Sequence, residues 1–330
     1  MILRFKKPNG RRRWVVAIFS AVIVGVGWWQ YQRLFGAPVR GADAEQFVIA
    51  VGESGKTVER LKAGGFIRNE RAFVYALKRE GGFIKPGGYG ISQAMSAWEI
   101  ARILTRMPSA LWVTIPEGLR KEETAVILAA TLGWSSEEKE KWITSDTDPD
   151  ADHAEGVYFP DTYLIPRDEQ PPATAERMRA RFEEKFVPFA EEALRQNIRW
   201  VTVVKIASLL EREAAGYHDM PLIAGIIWNR LVKGMRLEID ATLQYARGDK
   251  GDGWWAPITP ADKAIDSPYN TYKNKGLPPH PIANPGIAAI NATLHPEDSE
   301  CLFYLHDRLN RIHCAETYQG HKDNIERYLR

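Results

Sequence analysis

Cysteine is scarce in this chain: only Cys301 and Cys314 occur among 330 residues. That excludes a multi-bridge disulfide scaffold and any CxxC metal or redox pair. The seven histidines are scattered, with no HExxH or comparable ligand spacing, which disfavours a metal hydrolase and calls for no cofactor. No G-x-S-x-G elbow occurs either, so a serine nucleophile of that class has no support. Net charge is also small, Lys and Arg numbering 44 against 42 acids for a formal +2. Arg4, Lys6, Lys7, Arg11, Arg12 and Arg13 crowd the first thirteen residues with no acid among them, so the rest is slightly acidic and offers nothing to a nucleic acid.

What is present begins with one long uncharged run, "WVVAIFSAVIVGVGWWQY" at 14–31. It is long enough to cross a bilayer as a helix, and Trp14, Trp28, Trp29 and Tyr31 suit its two interfaces. The basic residues before it place that end, 1–13, in the cytoplasm as a short tail. A cleaved signal peptide is the rival; the run is long for its apolar region, and no clean A-x-A site follows. A retained single-pass anchor in the cytoplasmic (inner) membrane is therefore expected, with everything after residue 40 periplasmic or otherwise extracytoplasmic.

At this length two folded units are expected, at ~150 residues per domain. Residues 45–108 read as β-α-α-β-α: a short strand, a helix, a second helix after Asn69, a glycine-rich strand, and a helix capped by Ser96 and ended near Pro108. Residues 109–330 form the larger unit, of mixed α and β elements. The acidic stretch "GWSSEEKEKWITSDTDPDADHAEG" reads as a mobile connection around a short helix, and "EGVYFPDTYLIP" as a packed aromatic corner. Residues 173–200 read as a charged amphipathic helix bent at Pro188. Around the cysteines, "LFYLHDRLNRIH" reads as strand, turn, strand. A hairpin symmetric about residues 307 and 308 makes the two cysteines face each other for a bridge; one register slip leaves two unbridged thiols.

The string "KIASLLERE" carries the candidate chemistry. On a helix over 201–214, Val203, Val204, Ile206, Ala207 and Leu210 make one apolar stripe, and Glu211 projects from it while Glu213 points to roughly the opposite side. Glu211 lies in the last turn, where the helix dipole opposes a negative charge. An apolar flank and an adverse dipole both raise a carboxyl pKa, as a general acid requires. The alternative is a half-buried Glu paired with an Arg. Further on, Asp240, Thr242 and Tyr245 fall on a run that reads as extended, and a proline-punctuated loop carries Tyr269, Asn270, Thr271 and Tyr272 beside a groove.

Several strings in order, "TIPEG" (114–118), "EGVYFPDTY" (155–163), "ASLLERE" (207–213), "IIWNRLVKGMRLEIDATLQY" (226–245), "YNTYKNKGLPPHPIANPG" (269–286) and "HCAETYQGH" (313–321), resemble the YceG-like (MltG) family of membrane-anchored endolytic murein transglycosylases. The resemblance implies an α+β exported region in which 45–108 is a LysM-like peptidoglycan-binding module and 109–330 the catalytic domain. It places the family's catalytic glutamate on Glu211. The implied reaction cleaves glycan strands between MurNAc and GlcNAc, leaving 1,6-anhydro-MurNAc ends, with cell-wall synthases as further partners. Tyr269, Tyr272, Trp254 and Trp255 are then candidates to stack on sugars, and Asn229, Arg230 and Asn270 to bond N-acetyl or lactyl groups, with Glu238, Asp240 and Thr242 nearby; a packing or loop-fixing role is the alternative for each stacking or bonding residue. The chain departs from the family pattern at Glu238 and Ala241, where Gln and Pro are common, and at Cys314 and Gly320. A muramidase-type hydrolase using Asp240 or Glu238 as second carboxylate stays open, as does a membrane-tethered scaffold without catalysis. The separating feature is whether Glu211 opens into a groove lined by Asp240 and Asn270.

Overall fold

A computed structural model describes residues 10–147 and 155–330, with side chains from residue 14 onward. The basic tail and the end of the acidic stretch lie outside the described residues. The chain divides into two compact units, Met1–Trp112 with Leu164–Arg167, and Val113–Tyr163 with Asp168–Arg330.

The first unit opens with helix α1, Gly10–Phe35. Its segment Trp14–Phe35 is long and apolar enough to cross a membrane and is not buried in the protein. Then follow β1 (Glu45–Ile49), α2 (Thr57–Ala63), α3 (Glu70–Arg79), β2 (Gly87–Ile91) and α4 (Ala97–Thr105), the β-α-α-β-α order read from the sequence. The starts of α3 and α4 carry their causes: Asn69 accepts from the Ala72 N–H, and Ser96 and Glu99 form a reciprocal capping box. β1 and β2 pair antiparallel from Glu45↔Ile91 to Ile49↔Gly87. Their inner face meets α3 and α4 through Phe47, Ile49, Phe73, Ile91, Ile100 and Leu104. Gly87 is required here, because its φ is +147° and a Cβ would lie 2.6 Å from Pro108.

β3 (Ala110–Thr114) and β4 (Thr162–Pro166) complete a sheet of order β1-β2-β3-β4, and the chain passes between the units within these two strands.

The second unit is mainly helical. α5 (Lys121–Leu132) and α6 (Ser136–Lys141) lead to a π-helical turn at Trp142–Asp146. The short helix expected in the acidic stretch is α6, and as far as Thr147 the expected mobile connection is corrected, since Trp142 is fully buried and packs 5.4 Å from the Tyr158 ring. The aromatic corner is as read: Tyr158, Phe159 and Tyr163 are buried, and the Tyr163 hydroxyl donates to the Phe159 carbonyl. α7 (Pro171–Arg195), α8 (Trp200–Glu213), α9 (Met220–Val232) and α11 (Ile287–Leu294) build the core, with α8 packed on α7, α9 and α11. α10 (Asp240–Arg247) corrects the extended run expected at Asp240, Thr242 and Tyr245. Its first turn is held by Thr242, whose hydroxyl is buried between Ile239 and Thr271.

The chain closes with a hairpin, β5 (Phe303–His306) and β6 (Ile312–Ala315), and α12 (Tyr318–Tyr328). Its register, Tyr304↔Cys314, centres the turn on Leu309 rather than between 307 and 308. Asp307 causes this by accepting from the Leu309 and Arg311 N–H groups, with Asn310 at φ +56°. Cys301, just outside β5, still reaches Cys314, and the two are disulfide-bonded.

Candidate active site

Buried residues Val203, Val204, Ile206, Ala207, Leu209 and Leu210 fix α8 in the core and bring Glu211 to its end half-buried. There Glu211 Oε1 accepts from the Gly286 N–H at 2.8 Å, an orphan donor at the start of α11. The loop after β3 covers the other side: a Cβ on Gly118 would stand 3.5 Å from the Glu211 Cβ. Burial pushes the Glu211 carboxyl up to about 7; the Gly286 N–H and Arg212 lower it, and the charge of Glu117 raises it. Arg212 does not bridge to Glu211. Its guanidinium lies 4.0 Å from the Trp255 ring centroid and reaches the Gly118 carbonyl.

Asn284 locks this arrangement. Fully buried, it accepts from the Gly156 and Tyr158 N–H groups and donates to Leu119 O and Glu155 Oε1, satisfying its amide completely. Two residues later the same segment presents Gly286 to Glu211. Glu155 is itself buried, and that burial drives its carboxyl well above the ordinary range, helped by Glu122 against Arg120 and Lys121. Its Oε2 has no hydrogen-bond partner among the described residues.

A second acidic cluster begins two residues along α8. Glu213 accepts from the Tyr304 hydroxyl at 2.6 Å and from the Ala241 N–H. Burial raises its carboxyl, with Asp240 adding to the effect. Asp240 accepts from the Tyr272 hydroxyl at 2.5 Å. Asp240 and Tyr272 are thus brought together, beside Glu213. The apolar stripe gave Glu213 no role; the available signal was a second acid at the last helical position of "ERE".

The other expected site residues hold the frame. Asn229 donates to the Ser299 and Cys301 carbonyls. Arg230 donates to the carbonyls of Leu302, Arg236 and Leu237, and pairs with Glu238 at 3.4 Å. Glu238 is exposed, with φ +55°. Thr242 is fully buried. Asn270 is 0% exposed and donates to Lys263 and Ile265 while accepting from the Tyr272 N–H, so it pins its loop and does not line an open groove. Tyr269 packs 4.7 Å from Tyr245, whose ring lies against Arg120 at 4.1 Å. Arg120 also meets Trp254 at 4.3 Å, and Trp255 donates to Glu123. An apolar cavity of about 730 Å³ between α7 and Trp200, with Phe182 and Phe186 in its wall, holds none of these residues. Among the described residues no group of three His, Cys, Asp or Glu could hold a metal ion.

The family model for the YceG-like family matches residues 47–327. The chain belongs to the YceG-like family. It is 30% identical over 295 residues to an endolytic murein transglycosylase of Bacillus subtilis, covering 82% of this chain and 80% of that one. A pneumococcal endolytic murein transglycosylase (Streptococcus pneumoniae strain D39) is 25% identical over 352 residues, covering 94% of this chain but only 64% of the pneumococcal protein. A crystal structure of a YceG-like protein from Listeria monocytogenes aligns with TM-score 0.60 at 26% identity, over 86% of this chain and 99% of that one. In this YceG-like chain, the family match therefore spans Glu211, Gly286 and every residue of both acidic clusters.

Proposed function

We propose that the chain is a membrane-anchored lytic transglycosylase that cuts peptidoglycan glycan strands internally, with Glu211 as both acid and base. The observation that carries this reading is the half-buried Glu211 carboxyl, raised to about 7 at a helix end and bonded to one backbone N–H. A carboxyl so poised holds a proton near neutral pH and is accessible to a substrate atom. The names of the Bacillus and pneumococcal relatives supply the substrate class. Trp14–Phe35 anchors the chain with its N-terminus cytoplasmic, and residues 45–108 serve as a LysM-like module on the same glycan.

In the first step the Glu211 proton passes to the glycosidic oxygen between MurNAc and GlcNAc as the C1–O bond breaks. The Glu211 carboxylate then takes the proton of the MurNAc C6 hydroxyl while O6 bonds to C1, closing the 1,6-anhydro ring and restoring the acid. Ordinary glycosidases need a second carboxylate as nucleophile or water base. Here the nucleophile belongs to the substrate, so one carboxyl serves both steps.

The test is mass spectrometry of muropeptides released from purified peptidoglycan by the wild type and by Glu211→Gln. Anhydro-ended fragments from the wild type alone are expected. Reducing-end fragments contradict the transglycosylase reading in favour of a hydrolase, and an inert wild type that still binds glycan favours a scaffold.

A further inference from the structure

Gly286 touches two carboxylates. Its N–H donates to Glu211, while a Cβ added to it would lie 1.8 Å from Glu117 Oε1. The Glu117 side chain therefore rests against the glycine that binds Glu211, in space any other residue at 286 would fill. Tyr217, from the turn after α8, donates its hydroxyl to Glu117 Oε2 at 3.0 Å and fixes the carboxylate there. Glu117 is the acid of "TIPEG", exposed on the loop after β3, and nothing in the reaction above uses it.

The charged and titratable neighbours of Glu211 are few. Arg212, on its own helix, turns to Trp255 and Gly118; Tyr217 sits beyond Glu117; α11 presents only a backbone N–H. Glu117 is the like charge among them, and its effect is to favour a proton on Glu211.

We propose that Glu117 is a positioning residue for the reaction: its negative charge, held beside Glu211 by Tyr217 and the bare face of Gly286, keeps the proton on Glu211 until the glycosidic oxygen takes it. The same charge makes the resulting Glu211 carboxylate a stronger base toward the C6 hydroxyl. Protons balance as before, because Glu117 neither gives nor receives one. The inference rests on Glu211 being the acid and base.

The experiment measures initial rates against pH for the full chain in detergent micelles on purified glycan strands, with Glu117→Gln, Glu117→Asp and Glu211→Gln alongside. Loss of a neighbouring negative charge is expected to move the falling alkaline limb of Glu117→Gln down by roughly half to one pH unit, lowering kcat several-fold near neutrality with KM little changed. Glu117→Asp keeps the charge and is expected to restore most of the limb. A folded Glu117→Gln protein whose limb coincides with the wild type overturns the inference while leaving Glu211 in place. An active Glu211→Gln protein overturns the underlying reading, whatever Glu117 does.

Discussion

Near neutral pH the carboxyl of Glu211 is close to half-protonated, because burial outweighs the Gly286 N–H that favours its anion. As general acid it must start protonated, so kcat/KM is expected to fall about tenfold per pH unit above ~7, measured as a pH–rate profile. Glu211→Gln is expected to lose on the order of 100-fold or more in turnover with its circular dichroism unchanged. Stability responds as well. The folded pKa is raised from 4.5 to about 7, so the folded state binds more protons between those values. The associated stabilisation is fully present below 4.5 and lost as pH rises through about 7. Glu211→Gln removes this dependence and is expected to be roughly 2–3 kcal/mol more stable than the wild type at pH 8, relative to pH 4, by urea unfolding at both. The place of Glu211 at the end of α8, on its apolar stripe, was legible from helical periodicity, while its proposed role came with the family resemblance. Glu117 and Tyr217 were not legible, since the loop after β3 meets the end of α8 only through the tertiary fold.

Elements carry the site by holding its loops. The Asn284 amide ties Leu119, next to "TIPEG", to the "EGVYF" segment and is fully satisfied. Asn284→Ala leaves the Gly156 and Tyr158 N–H groups without their acceptor, a cost of about 3 kcal/mol or more, visible as a lowered Tm together with lost turnover. The hairpin is braced by the Cys301–Cys314 disulfide across 13 residues. Replacing both cysteines with serine is expected to cost about 2–4 kcal/mol, read from the denaturant midpoint with and without reductant. The capped helices α3 and α4, and α8 by its apolar stripe alone, were legible element by element. α10 was not: its cap, Ile239, has no side-chain hydrogen bond, and its first turn depends on Thr271 from a distant loop. Asn229, Arg230 and Asn270 take the loop-fixing bonds that the sequence left as one of two alternatives. Their partners are backbone carbonyls, which leave no mark in the sequence pattern.

For the whole molecule, α1 joins the membrane reading to the first unit. Phe35 at its end stacks 5.6 Å from Trp98 and meets Tyr75 edge-on at 6.3 Å. A chain starting at residue 36 is expected to leave the membrane fraction. It should also lose about 1–2 kcal/mol of protection in α4 by hydrogen exchange, the worth of one aromatic side chain's burial and contacts. The central claim concerns where the nucleophile comes from, and glycan cleavage in ¹⁸O-enriched water tests it most directly. If the MurNAc C6 hydroxyl attacks, the new ends carry no label and weigh one water less than reducing ends. One ¹⁸O atom at C1 of each new MurNAc end would contradict the account, making water the nucleophile and requiring a second carboxylate to activate it.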